Sequence, residues 1–217
     1  YRIKRSTSKS GTYTTIDVVT GSGKTSYTDK KLKAGKTYYY KIETINKVNG
    51  KKGYSGNSKA VAGTVLKTTT ITKAKENNSK TITLTWKKVT GADGYQVYRS
   101  TSKSGSYEKV ATVKGASNVT YKDDELSAGK TYYYKVRAYQ TSGTKTGTGS
   151  FSAILKTWTV KKTTISKVSG TADGEVKLTW SKVSRAEGYY IYRSTKSSSG
   201  FEKIATISDG STVTYTD

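Results

Sequence analysis

The stretch AGKTYYYK fills residues 34–41 and recurs at residues 128–135, so three tyrosines stand side by side twice in the chain. If the stretch is a β-strand, its side chains alternate between the two faces of a sheet. In each copy the first and third tyrosines then point into a core, and the middle tyrosine points out. The second copy therefore predicts structural roles for Tyr132 and Tyr134 and leaves Tyr133 to be explained.

The two copies lie 94 residues apart, and other residues repeat at the same interval. The repeated features are an arginine before Ser-Thr (Arg5, Arg99, Arg193), a Leu-Thr-Trp ending (Trp86, Trp180) and a tyrosine with an aspartate two residues later (Tyr27, Tyr121, Tyr215). A period of this length is too long for a solenoid unit and suits one small domain per repeat.

The second copy contains short alternating segments that are typical of strands. Residues 81–86, TITLTW, alternate polar and apolar side chains, and residues 94–99, GYQVYR, are a β-rich run that ends in a Ser/Gly turn cluster. Helical periodicity of useful length is absent from the sequence. Short strands at roughly ten-residue spacing, with turn signals between them, predict an all-β antiparallel sandwich.

Residues 126–138, LSAGKTYYYKVRA, resemble the corner between strands E and F of a fibronectin type III domain. On this alignment Leu126 is the corner leucine, Gly129 the turn glycine and Tyr132 the corner tyrosine, whose hydroxyl can bond to nearby backbone. Ala128 stands where the family usually has proline. In particular, the chain resembles the Lys-, Ser-, Thr- and Tyr-rich repeats of secreted and cell-wall-associated multidomain proteins of Gram-positive bacteria.

The resemblance implies tandem immunoglobulin-like sandwiches arranged end to end. Residues 1–66 are expected to be a partial repeat (strands C to G), residues 67–159 a complete repeat, and residues 160–217 a partial repeat (strand A to about E), so that the chain is a window on a longer array. The expected structural core consists of Leu32, Tyr38, Tyr40, Trp86, Tyr95, Val97, Leu126, Tyr132, Tyr134, Val136 and Trp180.

The outward positions of strands C and F, which share one sheet in this fold, carry aromatic and basic side chains. They are Arg2, Lys4, Tyr39, Lys41, Tyr98, Tyr133, Lys135, Arg137, Tyr190 and Tyr192. Aromatic rings stack on sugars and basic groups attract phosphate or sulfate, so these residues are the candidate face for an anionic glycan. The alternative is an ordinary strand surface, because aromatic residues and threonine favour strands.

The net charge of +24 comes from 39 basic and 15 acidic residues, and most of the basic residues are lysines. Lysine dominance, spread along the chain, favours diffuse attraction over the arginine-rich patch of a nucleic-acid reader. The expected partners are therefore neighbouring repeats of the same chain, anionic cell-wall polymers or host glycans, and other copies if the chain self-assembles into fibres.

The composition also limits the chemistry. With no histidine and no cysteine there is neither an imidazole base nor a thiolate, and we expect no catalytic residue, cofactor or metal site. The acidic run at residues 123–125 lacks the spacing of a calcium loop and is interpreted as a turn before Leu126. The sequence leaves an intramolecular Lys–Asn isopeptide cross-link as an alternative. No apolar run is long enough to span a membrane.

Two functions fit these observations. The first is a non-catalytic structural or adhesive spacer in an extracellular surface protein or filament, a location that the family resemblance implies. The second is a module that binds anionic glycans through the outward face. A spacer predicts outward residues that vary between repeats and a binding face predicts residues that persist; Tyr39 and Tyr133 persist, whereas Tyr98 is replaced by Lys4.

Overall fold

The computed structural model describes residues 1–142, 144–170 and 174–217, and the regular elements in these ranges are all strands. The first repeat contains β1 (Arg2–Ser6), β2 (Thr14–Val18), β3 (Thr37–Glu43), β4 (Ile45–Val48), β5 (Lys51–Tyr54) and β6 (Val61–Thr64). The second contains β7 (Ile71–Asn78), β8 (Thr81–Trp86), β9 (Gly94–Ser100), β10 (Glu108–Lys114), β11 (Thr120–Asp123), β12 (Thr131–Ser142), β13 (Lys145–Thr148) and β14 (Leu155–Trp158). The third contains β15 (Ile165–Gly170), β16 (Val176–Trp180), β17 (Tyr189–Arg193), β18 (Glu202–Ile207) and β19 (Thr214–Thr216).

The second repeat is a complete sandwich of two antiparallel sheets. One sheet has the order β11-β8-β7, and the other has the order β10-β9-β12-β13, with β14 also paired to β12. The apolar side chains of the two sheets meet between them, and Ile82, Leu84, Tyr95, Val97 and Val136 are fully buried there. The predicted all-β sandwich is therefore confirmed.

Alternation along β12 divides the three tyrosines as the sequence predicts. Tyr132 and Tyr134 are buried, with 5% and 0% of their surface exposed, whereas Tyr133 is half-buried. The Tyr132 hydroxyl accepts a hydrogen bond from the Ser127 amide at 2.8 Å, and this bond ties the strand to the turn before it. In the first repeat Tyr38 makes the matching bond to the Lys33 amide at 3.1 Å.

Core packing also repeats at the 94-residue interval. Trp86 meets Tyr95 edge to face, with ring centres 5.3 Å apart, and Trp180 meets Tyr189 in the same way at 5.2 Å. Such pairs favour a fixed relative orientation of the rings. The second and third repeats therefore share one arrangement where strands β8 and β16 face β9 and β17.

The first and third repeats have fewer strands than the second. The first consists of a sheet ordered β2-β1-β3-β6 and the hairpin β4-β5, and the third of a sheet ordered β15-β16-β19 and the pair β17-β18. Leu32 and Tyr40, which we expected in the core, are only half-buried. Within residues 1–66 nothing corresponds to β7 and β8, the strands that cover the matching core of the second repeat.

Each sheet in the described part of the chain takes its strands from one of the segments 1–66, 67–159 and 160–217. The repeats are thus joined through the segments between β6 and β7 and between β14 and β15. No helix within the described ranges is long and apolar enough to cross a membrane.

Replacing Tyr132 by alanine should destabilise the second repeat by about 3–5 kcal/mol, because a buried ring is lost and a cavity is left. Replacing Tyr133 by alanine should change the free energy of unfolding by no more than about 0.5 kcal/mol, as is usual at surface positions. Denaturant titration of a fragment of residues 66–160, which keeps the core cluster and Leu66, measures both. Equal losses would show that the register of β12 is wrong.

Candidate functional site

The pairing of β12 with β9 decides which outward side chains of the second repeat lie next to one another. Antiparallel pairing of β12 with β9 sets Lys135 directly across from Tyr98 and Arg137 across from Gln96. Arg137 donates from Nε to the Gln96 Oε1 at 2.9 Å and from Nη2 to the Tyr98 hydroxyl at 2.8 Å. The structure thus brings three of the candidate residues together: Tyr98, Lys135 and Arg137.

Aromatic rings cover the cations of this face. The Lys135 ammonium lies 4.2 Å from the centre of the Tyr107 ring and 4.3 Å from that of Phe151. The Arg137 guanidinium lies 4.6 Å from Phe151 and 5.2 Å from Tyr98. Cation–π contacts of this kind stabilise by about 0.5–1 kcal/mol at exposed positions. Both cations are therefore engaged with neighbours from β9 and from the segments that precede β10 and β14.

The matching face of the first repeat keeps one of these contacts and changes the rest. Lys41 lies 4.3 Å from the Tyr13 ring, as Lys135 does from Tyr107. Glu43 occupies the position that corresponds to Arg137. Its carboxylate pairs with Arg2, Nη1 to Oε2 at 3.2 Å, and accepts a hydrogen bond from the Lys4 ammonium. Charge on this face is partly neutralised, in contrast to the second repeat.

The third repeat presents its candidate residues more openly. Tyr190 and Tyr192 on β17 are 63% and 53% exposed, and the Lys203 ammonium lies 4.8 Å from the Tyr190 ring. These candidate residues therefore form one patch in each repeat, whereas Tyr39 and Tyr133 are half-buried on β3 and β12 and are not among the contacts described above. The patches differ in charge. The patch of the first repeat combines a carboxylate with cations, that of the second has cations stacked on aromatic rings, and that of the third has exposed aromatic rings.

Sequence reasoning missed several members of these patches. Tyr13 and Tyr107 are 94 residues apart, with Phe201 at the next interval, so the repeat itself could have identified them. Phe151 and Glu43 carry no such signal, because the corresponding positions hold other residue types. Their contacts depend on which strands pair.

A second polar cluster lies inside the sandwich rather than on its face. Arg99 on β9 donates from Nη1 to both carboxylate oxygens of Asp123, at 2.7 and 2.9 Å. The Tyr134 hydroxyl on β12 donates to the same carboxylate at 2.7 Å. Asp123 ends β11 in the opposite sheet and is 0% exposed. The three residues, which we call the inter-sheet network, join the two sheets of the second repeat.

The network favours fixed protonation states. Burial, followed by the hydrogen bond to Asp123, raises the pKa of the Tyr134 hydroxyl far above its usual range. Burial alone would lower the pKa of the Arg99 guanidinium, but the hydrogen bond and the charge of Asp123 raise it. Tyr134 therefore stays neutral and Arg99 stays charged near neutral pH, which suits a structural tie rather than proton transfer.

The arginine–aspartate pair of the network recurs in both other repeats, and its tyrosine recurs in the first. Arg5 donates to Asp29 at 2.9 and 3.2 Å, and the Tyr40 hydroxyl donates to Asp29 at 2.9 Å. Arg193 donates to Asp217 at 3.1 and 3.2 Å. The sequence showed the repeated arginines and the repeated tyrosine–aspartate spacing, but not that these residues bind one another.

The acidic run at 123–125 differs from the turn that we expected. Asp123 is part of the inter-sheet network, whereas Asp124 is an exposed partner of Lys122 at 3.6 Å. Within the described ranges, no group of three or more Asp, Glu, His or Cys residues is placed to hold a metal ion. The acidic residues of the second repeat thus serve its packing and its surface.

Replacing Asp123 by alanine should destabilise the second repeat by about 3–5 kcal/mol, because Arg99 loses its partner in a largely buried position. The neighbouring change Asp124→Ala is the matched control and should alter stability by no more than about 0.5 kcal/mol. Urea unfolding of the 66–160 fragment measures both variants. A loss of similar size in the two would show that the network does not stabilise the sandwich.

Comparison with known proteins gives partial matches. No family model matches the chain. The chain is 41% identical over 71 residues to an amylopullulanase of Thermoanaerobacter thermohydrosulfuricus, a match that covers 33% of this chain and 5% of that enzyme. This chain therefore spans only about a twentieth of the length of that relative.

Two solved structures extend the comparison. An Fn3-like protein from Clostridium thermocellum is 30% identical, and the match covers 39% of this chain and 82% of that protein, with a TM-score of 0.34. The FN1–FN3 domains of chicken CNTN1 are 16% identical over 99% of this chain and 77% of theirs, with a TM-score of 0.44.

Proposed function

Because the chain belongs to the fibronectin type III family of β-sandwiches, we propose that its repeats are non-catalytic structural or adhesive spacers in a larger extracellular bacterial protein. Each sandwich acts as a rigid unit in this role. A row of such units sets the distance between the parts of the protein that they connect.

The short joints between repeats are the observation that carries the proposal. β6 ends at Thr64 and β7 begins at Ile71, while β14 ends at Trp158 and β15 begins at Ile165. Each joint therefore has six residues, 65–70 and 159–164. Neither contains the Gly/Ser tract of a flexible tether. Joints this short limit how far one repeat can turn relative to the next.

Hydrogen bonds hold these joints to the sandwiches. The Thr69 hydroxyl donates to the Lys87 carbonyl at 2.6 Å, and in the second joint Thr163 donates to the Ser181 carbonyl at 2.7 Å. The Thr159 hydroxyl donates in the other direction along the chain, to Ser127 at 2.7 Å. A joint whose side chains bond to the flanking repeats transmits orientation from one to the next.

The variation of the outward face supports the same role. A ligand-binding face would keep its chemistry between repeats, yet Arg137 is replaced by Glu43 and Tyr98 by Lys4. Tyr133 also persists, as Tyr39, but the cation contact that persists, Tyr107 with Lys135, lies within one chain. The variation of these outward residues thus favours an ordinary strand surface, whose side chains stabilise their own repeat, over a ligand-binding face.

The comparisons support a place beside other domains. In the amylopullulanase the similar segment makes up only 5% of the length. This small share is consistent with repeats that accompany a catalytic domain. An extracellular location also fits the composition, because a chain without cysteine or methionine has no readily oxidised sulfur.

An extended row of repeats should lengthen as repeats are added. Strands of about seven to ten residues rise ~3.3 Å per residue, so each complete repeat should add roughly 30 Å along one axis. Small-angle X-ray scattering of the 66–160 fragment and of the whole chain compares their maximum dimensions. A whole chain whose maximum dimension barely exceeds that of the fragment would contradict the spacer role, because the repeats would then fold back on one another.

The charge of the chain should give weak, diffuse binding to polyanions rather than a defined glycan site. We expect retention on immobilised heparin to disappear by about 0.5 M salt, where the screening length is only a few ångströms. Exchanging Lys135 and Arg137 for glutamine should weaken retention no more than exchanging the exposed Lys103 and Lys109. A much larger loss for the first pair would indicate a built binding face and contradict the proposal.

A further inference from the structure

The two joints carry different residues at matching positions. At the first joint Thr64 and Gly91 meet so closely that a Cβ on Gly91 would lie 2.8 Å from the Thr64 methyl carbon. The positions 94 residues later hold Trp158 and Arg185. There the Arg185 guanidinium lies 5.1 Å from the centre of the Trp158 ring. Both members of the contact change together, from small residues to large ones.

The threonine beside this contact, Thr37 in the first repeat and Thr131 in the second, also has a different hydrogen-bond partner at each joint. In the first repeat the hydroxyl oxygens of Thr37 and Thr64 lie 2.9 Å apart on the paired strands β3 and β6. Trp158 has no hydroxyl to offer Thr131, the counterpart of Thr37. The Arg185 guanidinium donates to the Thr131 hydroxyl at 3.1 Å instead. A hydrogen bond inside one repeat is thus replaced by one that crosses the joint.

The backbone at Arg185 has a conformation that normally selects glycine. Its φ is 68°, close to the 79° of Gly91 at the matching turn. Left-handed φ values are strained for residues with a Cβ. An arginine at this turn therefore costs conformational energy that a glycine would not. The contacts of its side chain with Trp158 and Thr131 offset that cost.

We propose that Trp158, Arg185 and Thr131 form a clamp that fixes the angle between the second and third repeats. The ring and the hydroxyl belong to strands β14 and β12, whereas the cation belongs to the turn between β16 and β17. Opening the joint must therefore break both contacts. The inference deepens the spacer function proposed above, because it makes the bending of the row depend on which residues stand at each joint.

The absence of cysteine from the chain allows a direct measurement. Spin labels on Ser104→Cys and Ser198→Cys, two exposed and equivalent turn positions, report the distance across the second joint by double electron–electron resonance. A narrow distance distribution is expected. In Arg185→Gly the ratio of molecules in the narrow component to those outside it should fall about five- to tenfold, since a cation–π contact and a hydrogen bond are lost.

Folding of the altered repeat is controlled in two ways. Glycine suits the left-handed turn, so Arg185→Gly should leave the β-sheet circular dichroism of the chain unchanged. The variant Ser184→Gly loosens the same turn without touching the clamp, and it should keep the narrow distribution. Trp158→Thr, which restores the residue of the first joint, should broaden the distribution as Arg185→Gly does.

The converse exchange tests the clamp at the first joint. Labels on Ser10→Cys and Ser104→Cys report that joint, and the combined change Thr64→Trp with Gly91→Arg should narrow its distance distribution. An unchanged distribution in Arg185→Gly, or equal broadening in Ser184→Gly, would overturn the clamp. Scattering that still shows an extended chain would in that case leave the spacer function standing, so the two proposals fail separately.

Discussion

The carboxylate of Asp123 is buried between two sheets and is held by groups from both strands opposite it. Arg99 supplies a cation and Tyr134 supplies a hydroxyl, so this buried charge is paired and hydrogen-bonded. A pair of this kind does not add much stability compared with apolar packing, but it penalises any arrangement that separates its members. In a chain without disulfides, it fixes how the sheets are placed relative to one another.

The other features of the repeat depend on that placement. With the sheets held in register, Tyr132 reaches the turn before β12 and Tyr95 packs against Trp86. The outward side chains of β9 and β12 then stand opposite one another, and this position sets Lys135 beneath Tyr107 and Phe151. Surface contacts are thus a consequence of the strand pairing. Their chemistry can vary between repeats while the sandwich stays the same.

Local pattern was enough to predict the strands, the sandwich and the division of the tyrosines, because alternation and turn residues are local signals. It was not enough for contacts that depend on strand pairing. Arg99 and Asp123 are each visible in the sequence as repeated residues. They lie 24 residues apart in the chain, however, and belong to different sheets. Phe151 and Glu43 lack a repeated counterpart of the same type. Arg185 is one of many basic residues in the sequence, and only the structure shows the contacts that it makes in place of the glycine found 94 residues earlier.

A double-mutant cycle on Arg99 and Asp123 tests the central claim most directly. The variants Arg99→Met, Asp123→Leu and their combination are unfolded by denaturant in the 66–160 fragment. If the network ties the sheets, each single change leaves a buried polar group without its partner, and the double change recovers much of the loss, with a coupling energy of about 2 kcal/mol or more. Effects that add within about 0.5 kcal/mol would contradict the account, because the two residues would then stabilise the sandwich independently.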